Sequence, residues 1–295
     1  MTIWNSNYTT KNIMHNTFND LKNKVGVITG GAGVIGTALA YALGSAGIKT
    51  AILDIDLDKA KENADKLSSE TGTKIIGLKA NVLDSKSLEK VHDQIIKELG
   101  PVDFLINGAG GNAPEATTKL EELTKESFPE IEDSFFGLPP EGFEKVFSLN
   151  FLGTIIPTKV FGREMVKRKH GVILNISSMN SFKPLTKIPA YSAAKASINN
   201  FTQWLAVHLA KTGVRVNAIA PGFFLTDQNR FLVMDEKTGD YSARGRKIVN
   251  NTPMGKFGQP DDLQGVTLFL LSKLSGFITG IILPVDGGYS AFGGV

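Results

Sequence analysis

V-G-V-I-T-G-G-A-G-V-I-G, Val25 to Gly36, decides how the rest of the chain is read. Val25–Thr29 is a short β-rich run of the kind that forms a buried strand, and a glycine cluster then opens into the helical stretch Val34–Ala46. Gly31, Gly33 and Gly36 satisfy G-x-G-x-x-G. Glycine at such a turn permits a tight bend and lets the backbone approach a pyrophosphate at a helix N-terminus. Glycine-rich turns are common, so the motif gains weight here only because a strand precedes it and a helix follows.

Outward from this turn the same alternation continues. Thr50–Leu53 precedes a charged helix over Leu57–Ser69. Lys74–Lys79 precedes a helix over Ser85–Leu99, and the run Val102–Asn107 follows. A single helix is expected over Phe143–Lys169, then a strand ending near Ile176. A helix begins near Tyr191 and runs to about Lys211, before Val214–Ala220, a helix from Pro260 to about Ser272, and Ile281–Val285. Strands separated by helices imply right-handed crossovers and a parallel sheet covered on both faces. No repeat or low-complexity linker interrupts the pattern. Residues 21–295 therefore read as one α/β domain, a doubly wound (Rossmann) parallel sheet, after a polar extension over residues 1–20. Ligands of such a sheet bind beyond the C-terminal ends of its strands.

Two stretches are longer than a connection needs, at 111–142 and 223–258. The first is rich in acids, among them Glu115, Glu121, Glu122, Glu126, Glu130, Glu132, Asp133 and Glu141. The second mixes Phe223, Phe224, Phe231 and Tyr241 with Arg230, Arg244 and Arg246, and follows a strand end through Pro221-Gly222. It reads as a cover for a substrate, or else as a surface excursion.

Composition narrows the chemistry. The 295 residues are 42% hydrophobic and 21% charged, ordinary for a globular chain, and a formal charge of +3 gives no reason to expect a nucleic-acid partner. There are no cysteines, which excludes disulfides and thiolate catalysis. The four histidines show no metal-binding spacing. The first twenty residues lack the apolar core of a signal peptide, and no window approaches the ~18–20 apolar residues of a membrane span. A cytoplasmic protein without membrane or metal is expected.

Reactive chemistry gathers in N-I-S-S-M-N-S-F-K-P-L-T-K-I-P-A-Y-S-A-A-K, Asn175 to Lys195. Pro189 and the alanines after it place Tyr191 and Lys195 on one face of a helix's first turns. A free phenol, with pKa ~10, is a poor acid or base at neutral pH, and a fixed ammonium nearby lowers that value. A Tyr so tuned exchanges a proton with a substrate oxygen while a hydride moves. Ser178 can hydrogen-bond the same oxygen if the chain folds back. Tyr-x-x-x-Lys also recurs by chance in helices, so the rest of the chain must support the reading.

Asp54 ends the second apolar run, where a carboxylate accepts both ribose hydroxyls of NAD and repels a 2′-phosphate. As a helix N-cap, Asp56 or Asp58 fits better. Asn81, with Val82, and Asn107-Gly108-Ala109-Gly110 stand at further strand ends, facing the cofactor or merely satisfying turn backbone. Asn150 lies in an apolar helical segment that disfavours Asn. It is either a buried polar link to Lys195 or a solvent-facing residue.

Together these residues resemble the short-chain dehydrogenase/reductase family over about Leu21 to Tyr289. The likeness is carried by the T-G-rich turn, Asp54, N-G-A-G, Asn150, S-S…Y-x-x-x-K, the P-G loop and the closing V-D-G-G at Val285–Gly288. It implies that Tyr191 is the acid/base, that Lys195 lowers its pKa and holds the nicotinamide ribose, and that Ser178 orients the substrate oxygen. It also implies that Asn150 fixes a water linking Lys195 to solvent. NAD contacts are implied at Gly31, Gly33, Val34, Ile35, Gly36, Asp54, Asn81, Val82, Asn107, Gly108, Ala109, Tyr191, Lys195, Pro221 and Gly222. The family's T-G-x-x-x-G-x-G has a glycine where this chain has Val34. Asn81 stands where Asp is usual, and Gly108 replaces a commoner Asn.

Within the family, this block, F-T-Q-W-L-A-V-H-L-A and T-D-Q-N-R-F-L resemble a sugar-acid branch. The implied reaction moves a hydride between NAD and D-mannonate or D-fructuronate. A gluconate 5-dehydrogenase, a 3-oxoacyl-carrier-protein reductase and a non-catalytic NAD sensor are the alternatives. An anionic substrate calls for a cation, with Arg230 ahead of Lys183 and Lys187. Asn112, Asn180 and Gln228 are candidates for sugar hydroxyls. Apolar residues on more than one side of the Tyr191 helix, Trp204 and Val207 among them, imply a homo-oligomer with a two-fold contact, a dimer or, as the family resemblance implies for many relatives, a tetramer.

Overall fold

The computed structural model describes residues 17–225, 230–235 and 239–294. Its sheet consists of β1 (Val25–Thr29), β2 (Lys49–Asp54), β3 (Ile75–Lys79), β4 (Phe104–Asn107), β5 (Gly171–Ile176), β6 (Val214–Pro221) and β7 (Ile282–Val285). All neighbours pair in parallel, in the order β3-β2-β1-β4-β5-β6-β7. The helices are α1 (Val34–Ser45), α2 (Leu57–Thr71), α3 (Ser85–Glu98), α4 (Pro140–Phe147), α5 (Gly153–Arg168), α6 (Pro189–Leu209), α7 (Arg230–Val233), α8 (Ala243–Asn250) and α9 (Gln264–Leu271). One core joins α1, α2 and α9 to the sheet and another joins α3, α5 and α6, so both faces are covered as the alternation predicts.

Local chemistry sets the ends of these elements. Asp56 caps α2 by accepting from the Lys59 amide, and Asp84 caps α3 by accepting from those of Lys86 and Ser87. Asp54 is thus left free of the capping role. α1 is different: Gly33 precedes it and no side chain caps it. Residues just ahead of 21 touch the domain. Phe18 packs against the core, and Asp20 accepts a hydrogen bond from the Lys273 amide at 2.8 Å. Residues 1–16 of the expected extension lie outside the described residues.

The single helix expected over Phe143–Lys169 is two helices, α4 and α5, joined by a π turn at Ser148–Leu152. The cause is Asn150. Its Nδ2 donates to the Val146 carbonyl at 2.8 Å and to the Gly111 carbonyl at 2.7 Å, while its Oδ1 accepts from the Gly111 amide at 3.2 Å. A side chain that competes for an i−4 carbonyl and clamps a neighbouring loop widens the helix there, and such bulges are frequent at functional sites. Both long stretches carry structure of their own. Segment 111–142 contains short 3-10 turns at Pro114–Ala116, Phe128–Asp133 and Phe135–Gly137, and segment 223–258 contains α7 and α8.

Candidate active site

β1 and β4 lie side by side although β2 and β3 intervene in sequence, which makes the crevice at their C-terminal ends the switch point of the sheet. A cavity of about 520 Å³ opens there, lined by Gly30, Val34, Asp54, Asn81, Gly108 and Leu149 among others. Gly33, Ile35, Gly36, Val82 and Ala109 line it too. Thr29 Oγ1 ties its two loops together by accepting from the amides of Gly108 and Ala109 at 3.1 and 3.3 Å.

The glycines divide their work differently from the motif reading. Gly30, not among the expected cofactor residues, has φ +64°, and a Cβ on it would stand 2.8 Å from Ala109 Cα. A Cβ on Gly36 would stand 2.6 Å from the Gly30 carbonyl. Gly31 packs behind the turn, its Cβ position 2.9 Å from Ile52 Cγ2, and is absent from the lining of the cavity. The Thr-Gly pair was the available signal for Gly30, and fitting G-x-G-x-x-G one place later passed over it. With Val34 in place of a glycine the turn still closes, because the two positions where backbone meets backbone remain glycine.

Asp54 reaches the cavity from the end of β2. Its Oδ2 accepts from the Ala32 amide at 3.1 Å and its Oδ1 from the Asp56 amide at 3.2 Å, so both oxygens are oriented and each keeps accepting capacity. Asn81 lines the cavity while its Oδ1 accepts from the Leu83 amide at 3.0 Å. The Asn107 side chain turns inward instead. It is buried, and its Nδ2 donates to Thr158 Oγ1 and to Asn175 Oδ1, both at 2.9 Å. Asn175 in turn donates to Thr202 Oγ1 at 2.9 Å, a buried polar chain that fixes α5 and α6 to the sheet beneath the site. Pro221 is buried, and Gly222 abuts Asp286, where a Cβ would meet Asp286 Cα at 2.6 Å.

The four expected catalytic residues converge where this cavity ends at Gly110. A Cβ on Gly110 would lie 2.6 Å from Asn150 Oδ1 and 3.2 Å from Lys195 Nζ, which sets those two groups against one point. Asn150 is fully buried, which removes the solvent-facing alternative. Lys195 Nζ donates to the Ile176 carbonyl at 2.9 Å and lies 5.6 Å from the centre of the Tyr191 ring. The Ser178 hydroxyl lies close enough to the Tyr191 phenol to favour its ionised form. Ser178 also accepts from the Asn180 amide at 3.2 Å, which fixes it at the end of β5.

Electrostatics here are set by burial before charge. Burial pushes the Tyr191 phenol up, and the nearby Ser178 hydroxyl pulls the other way. Tyr191 as a whole residue is half-buried, and the groups packed around its phenol are what raise it. Burial also pulls Lys195 down to about 8. The depressed phenol expected from sequence is therefore not a property of the protein alone: the ammonium lies beside the ring, held by a carbonyl.

The residues suggested for substrate are dispersed. Asn180 is buried beside Ser178, and its Oδ1 has no hydrogen-bond partner among the described residues. Asn112 is exposed and donates to Thr117 Oγ1 at 2.8 Å. Lys183 donates to the Phe292 carbonyl. Lys187 is half-buried with φ +71°, and its carbonyl accepts from the Thr118 amide at 2.9 Å. Arg230 is exposed at the start of α7, while Gln228 lies outside the described residues.

The chain matches the short chain dehydrogenase model over residues 24–237. It is 49% identical over 277 residues to an uncharacterized oxidoreductase, UxuB, of Bacillus subtilis strain 168, covering 94% of this chain and 98% of that one. It is 33% identical to 5-keto-D-gluconate 5-reductase of Escherichia coli strain K12, with 92% and 98% covered. A crystal structure of a candidate D-mannonate oxidoreductase from Haemophilus influenzae, with bound NAD, superposes with a TM-score of 0.87 at 46% identity. That match covers 96% of this chain and all of the other.

Proposed function

The chain belongs to the short-chain dehydrogenase family, and from that premise we propose that it is an NAD-dependent oxidoreductase acting on the secondary alcohol or ketone of a sugar acid, D-mannonate and D-fructuronate first. One observation carries the reading: Ser178, Tyr191, Lys195 and Asn150 converge at the end of a glycine-walled cavity.

The cavity fits a dinucleotide. Gly30 and Gly36 leave backbone where any side chain would collide, and the uncapped N-terminus of α1 offers its amides to a pyrophosphate. Asp54 is oriented to accept from ribose hydroxyls and would repel the extra phosphate of NADP. When bound, NAD supplies or accepts the hydride. The protein's part is the proton: the Tyr191 phenol gives it to, or takes it from, the substrate oxygen, and Ser178 hydrogen-bonds that same oxygen. Lys195, at about 8, remains mostly an ammonium at neutral pH and stabilises phenolate whenever it forms. Asn150 holds the Gly111 backbone and faces the Lys195 ammonium across Gly110, a position suited to a water that resupplies the proton.

The sugar-acid assignment is supported by the relatives' substrates, a D-mannonate oxidoreductase candidate and a keto-gluconate reductase, both acids of the same class. Asn180 adds a buried acceptor, its Oδ1, beside Ser178 for a substrate hydroxyl. A panel of keto acids and uncharged ketones assayed with NADH tests the assignment, with Tyr191→Phe alongside. Turnover of D-fructuronate is expected, with a loss on the order of 10²–10⁴-fold in the variant while NADH still binds. Activity confined to an uncharged ketone would reject the sugar acid, and an equally fast Phe variant would reject the acid/base assignment. Binding of NADH with no oxidation by any ketone would leave the sensor reading.

A further inference from the structure

The 111–142 and 223–258 segments meet through charge. Segment 111–142 carries eight acids against Lys119 and Lys125. Part of that charge is settled locally, by Glu115 with Lys145 at 3.0 Å and by Asp133 with Lys119 at 2.7 Å. Glu121 pairs elsewhere: its carboxylate is bonded to the Lys247 ammonium on α8. α8 holds Arg244, Arg246 and Lys247 and no acid. The Glu121 carboxyl is held below the usual carboxylate range by Lys247 first, with weaker help from Lys187 and Arg244.

This cluster borders the chain that leads into the helix of the acid/base. Glu121, Lys187 and Pro189 line one cavity of about 320 Å³, and Pro189 opens the helix that carries Tyr191. The Thr118 amide donates to the Lys187 carbonyl, so the acidic segment is tied to the chain entering that helix. Ala113 and Ala116 of the same segment pack with Tyr191. From the other side, Lys247 is close enough to Tyr289 to act on its phenol, and Tyr289 packs edge-on against Phe223, the residue after Pro221-Gly222, at 5.4 Å.

We propose that Lys187, Arg244 and Lys247 form the carboxylate site for an anionic substrate, and that Glu121 occupies it as an internal stand-in which the substrate's carboxylate displaces. The inference rests on the sugar-acid reading above. Both partners of the Glu121–Lys247 pair are well exposed, and exposed ion pairs contribute little to stability. Such a bond is too weak to hold two segments shut, yet it keeps three cations near one another without a net penalty. A carboxylate that replaces Glu121 gains the same partners, one of them a guanidinium able to bind it through two parallel hydrogen bonds. An uncharged ketose gains nothing from the exchange, which is the basis of discrimination.

The test is calorimetric titration of D-mannonate into the enzyme–NADH complex, with turnover of D-fructuronate measured in parallel on the same proteins. Lys247→Gln is expected to weaken D-mannonate binding by about fivefold or more. Glu121→Gln is expected to tighten it, because the site loses its competitor. Unchanged NADH affinity and thermal melts exclude misfolding. Binding that shifts in this way without turnover keeps the site and removes the assigned reaction. Turnover with both variants binding as wild type does overturns the site and leaves the reaction standing, the pair then being a solvated surface contact. If D-mannonate does not bind and D-fructuronate is not turned over, both fall.

Discussion

Lys195 shows how much a single residue costs and supplies. Burial drags its pKa from 10.5 to about 8, so between those values the unfolded chain binds more protons than the folded one, and stability rises with pH. Below about pH 8 the buried ammonium costs the fold about 3 kcal/mol, an order-of-magnitude figure. Lys195→Met should therefore melt higher than wild type at pH 7 while losing most activity. The gain should shrink as pH is raised toward 10.5, and melts at several pH values would check it. Gly110 is the complementary case. Adding a methyl there puts a carbon 2.6 Å from Asn150 Oδ1 and 3.2 Å from Lys195 Nζ. Gly110→Ala should lower kcat on the order of 10²-fold by displacing the two groups, and should lower the melting temperature as well, because the buried Asn150 side chain is moved off its hydrogen-bond partners. A variant as fast as wild type would show that neither group needs its place.

At the scale of elements, the π turn at Ser148–Leu152 joins the sheet's crevice to the reactive helix. Asn150 makes three hydrogen bonds there, two to the Gly111 backbone and one to the Val146 carbonyl, and all lie in or beside buried structure. Asn150→Ala leaves those groups without partners and should cost roughly 1–3 kcal/mol of stability. Activity should fall with it, since the loop bearing Gly110 loses its clamp. Denaturant titration and single-turnover kinetics separate the two effects, and a fully stable but slow variant would assign Asn150 to proton transfer alone. α1 shows a different economy: its first turn has no side-chain cap, and a bound phosphate would complete it.

For the whole molecule, the outer face of α6 is the feature one chain does not explain. Ala194, Ile198, Leu205 and Ala206 face the interior, while Trp204 is 58% and Val207 80% exposed. Ala206, next to Val207 in sequence, belongs to the core. Trp204 stacks between Phe201 and His208, with ring centres 6.5 and 4.8 Å apart, so the exposed ring is held rigid. A rigid exposed aromatic is what a two-fold contact uses as its centre. Light scattering at micromolar concentration should give a dimer or tetramer mass, and Trp204→Glu should lower it. A monomeric wild type would remove the interface. No helix among the described residues is long and apolar enough to cross a membrane.

Most of the fold was legible because buried parallel strands and the helices between them write their periods directly into hydrophobic pattern, and turn glycines mark where one becomes the other. Asp54, Ser178, Tyr191 and Lys195 were legible for a related reason: each sits at a strand end or in a helix's first turns, where residue type and spacing carry chemistry. Gly30's left-handed turn, the inward Asn107 side chain and the π turn at Asn150 were settled by tertiary structure. Each depends on a partner distant in sequence, Ala109, Asn175 and Gly111 respectively. The raised phenol and lowered ammonium were likewise invisible beforehand, since spacing places two groups side by side but only packing sets how much water they lose.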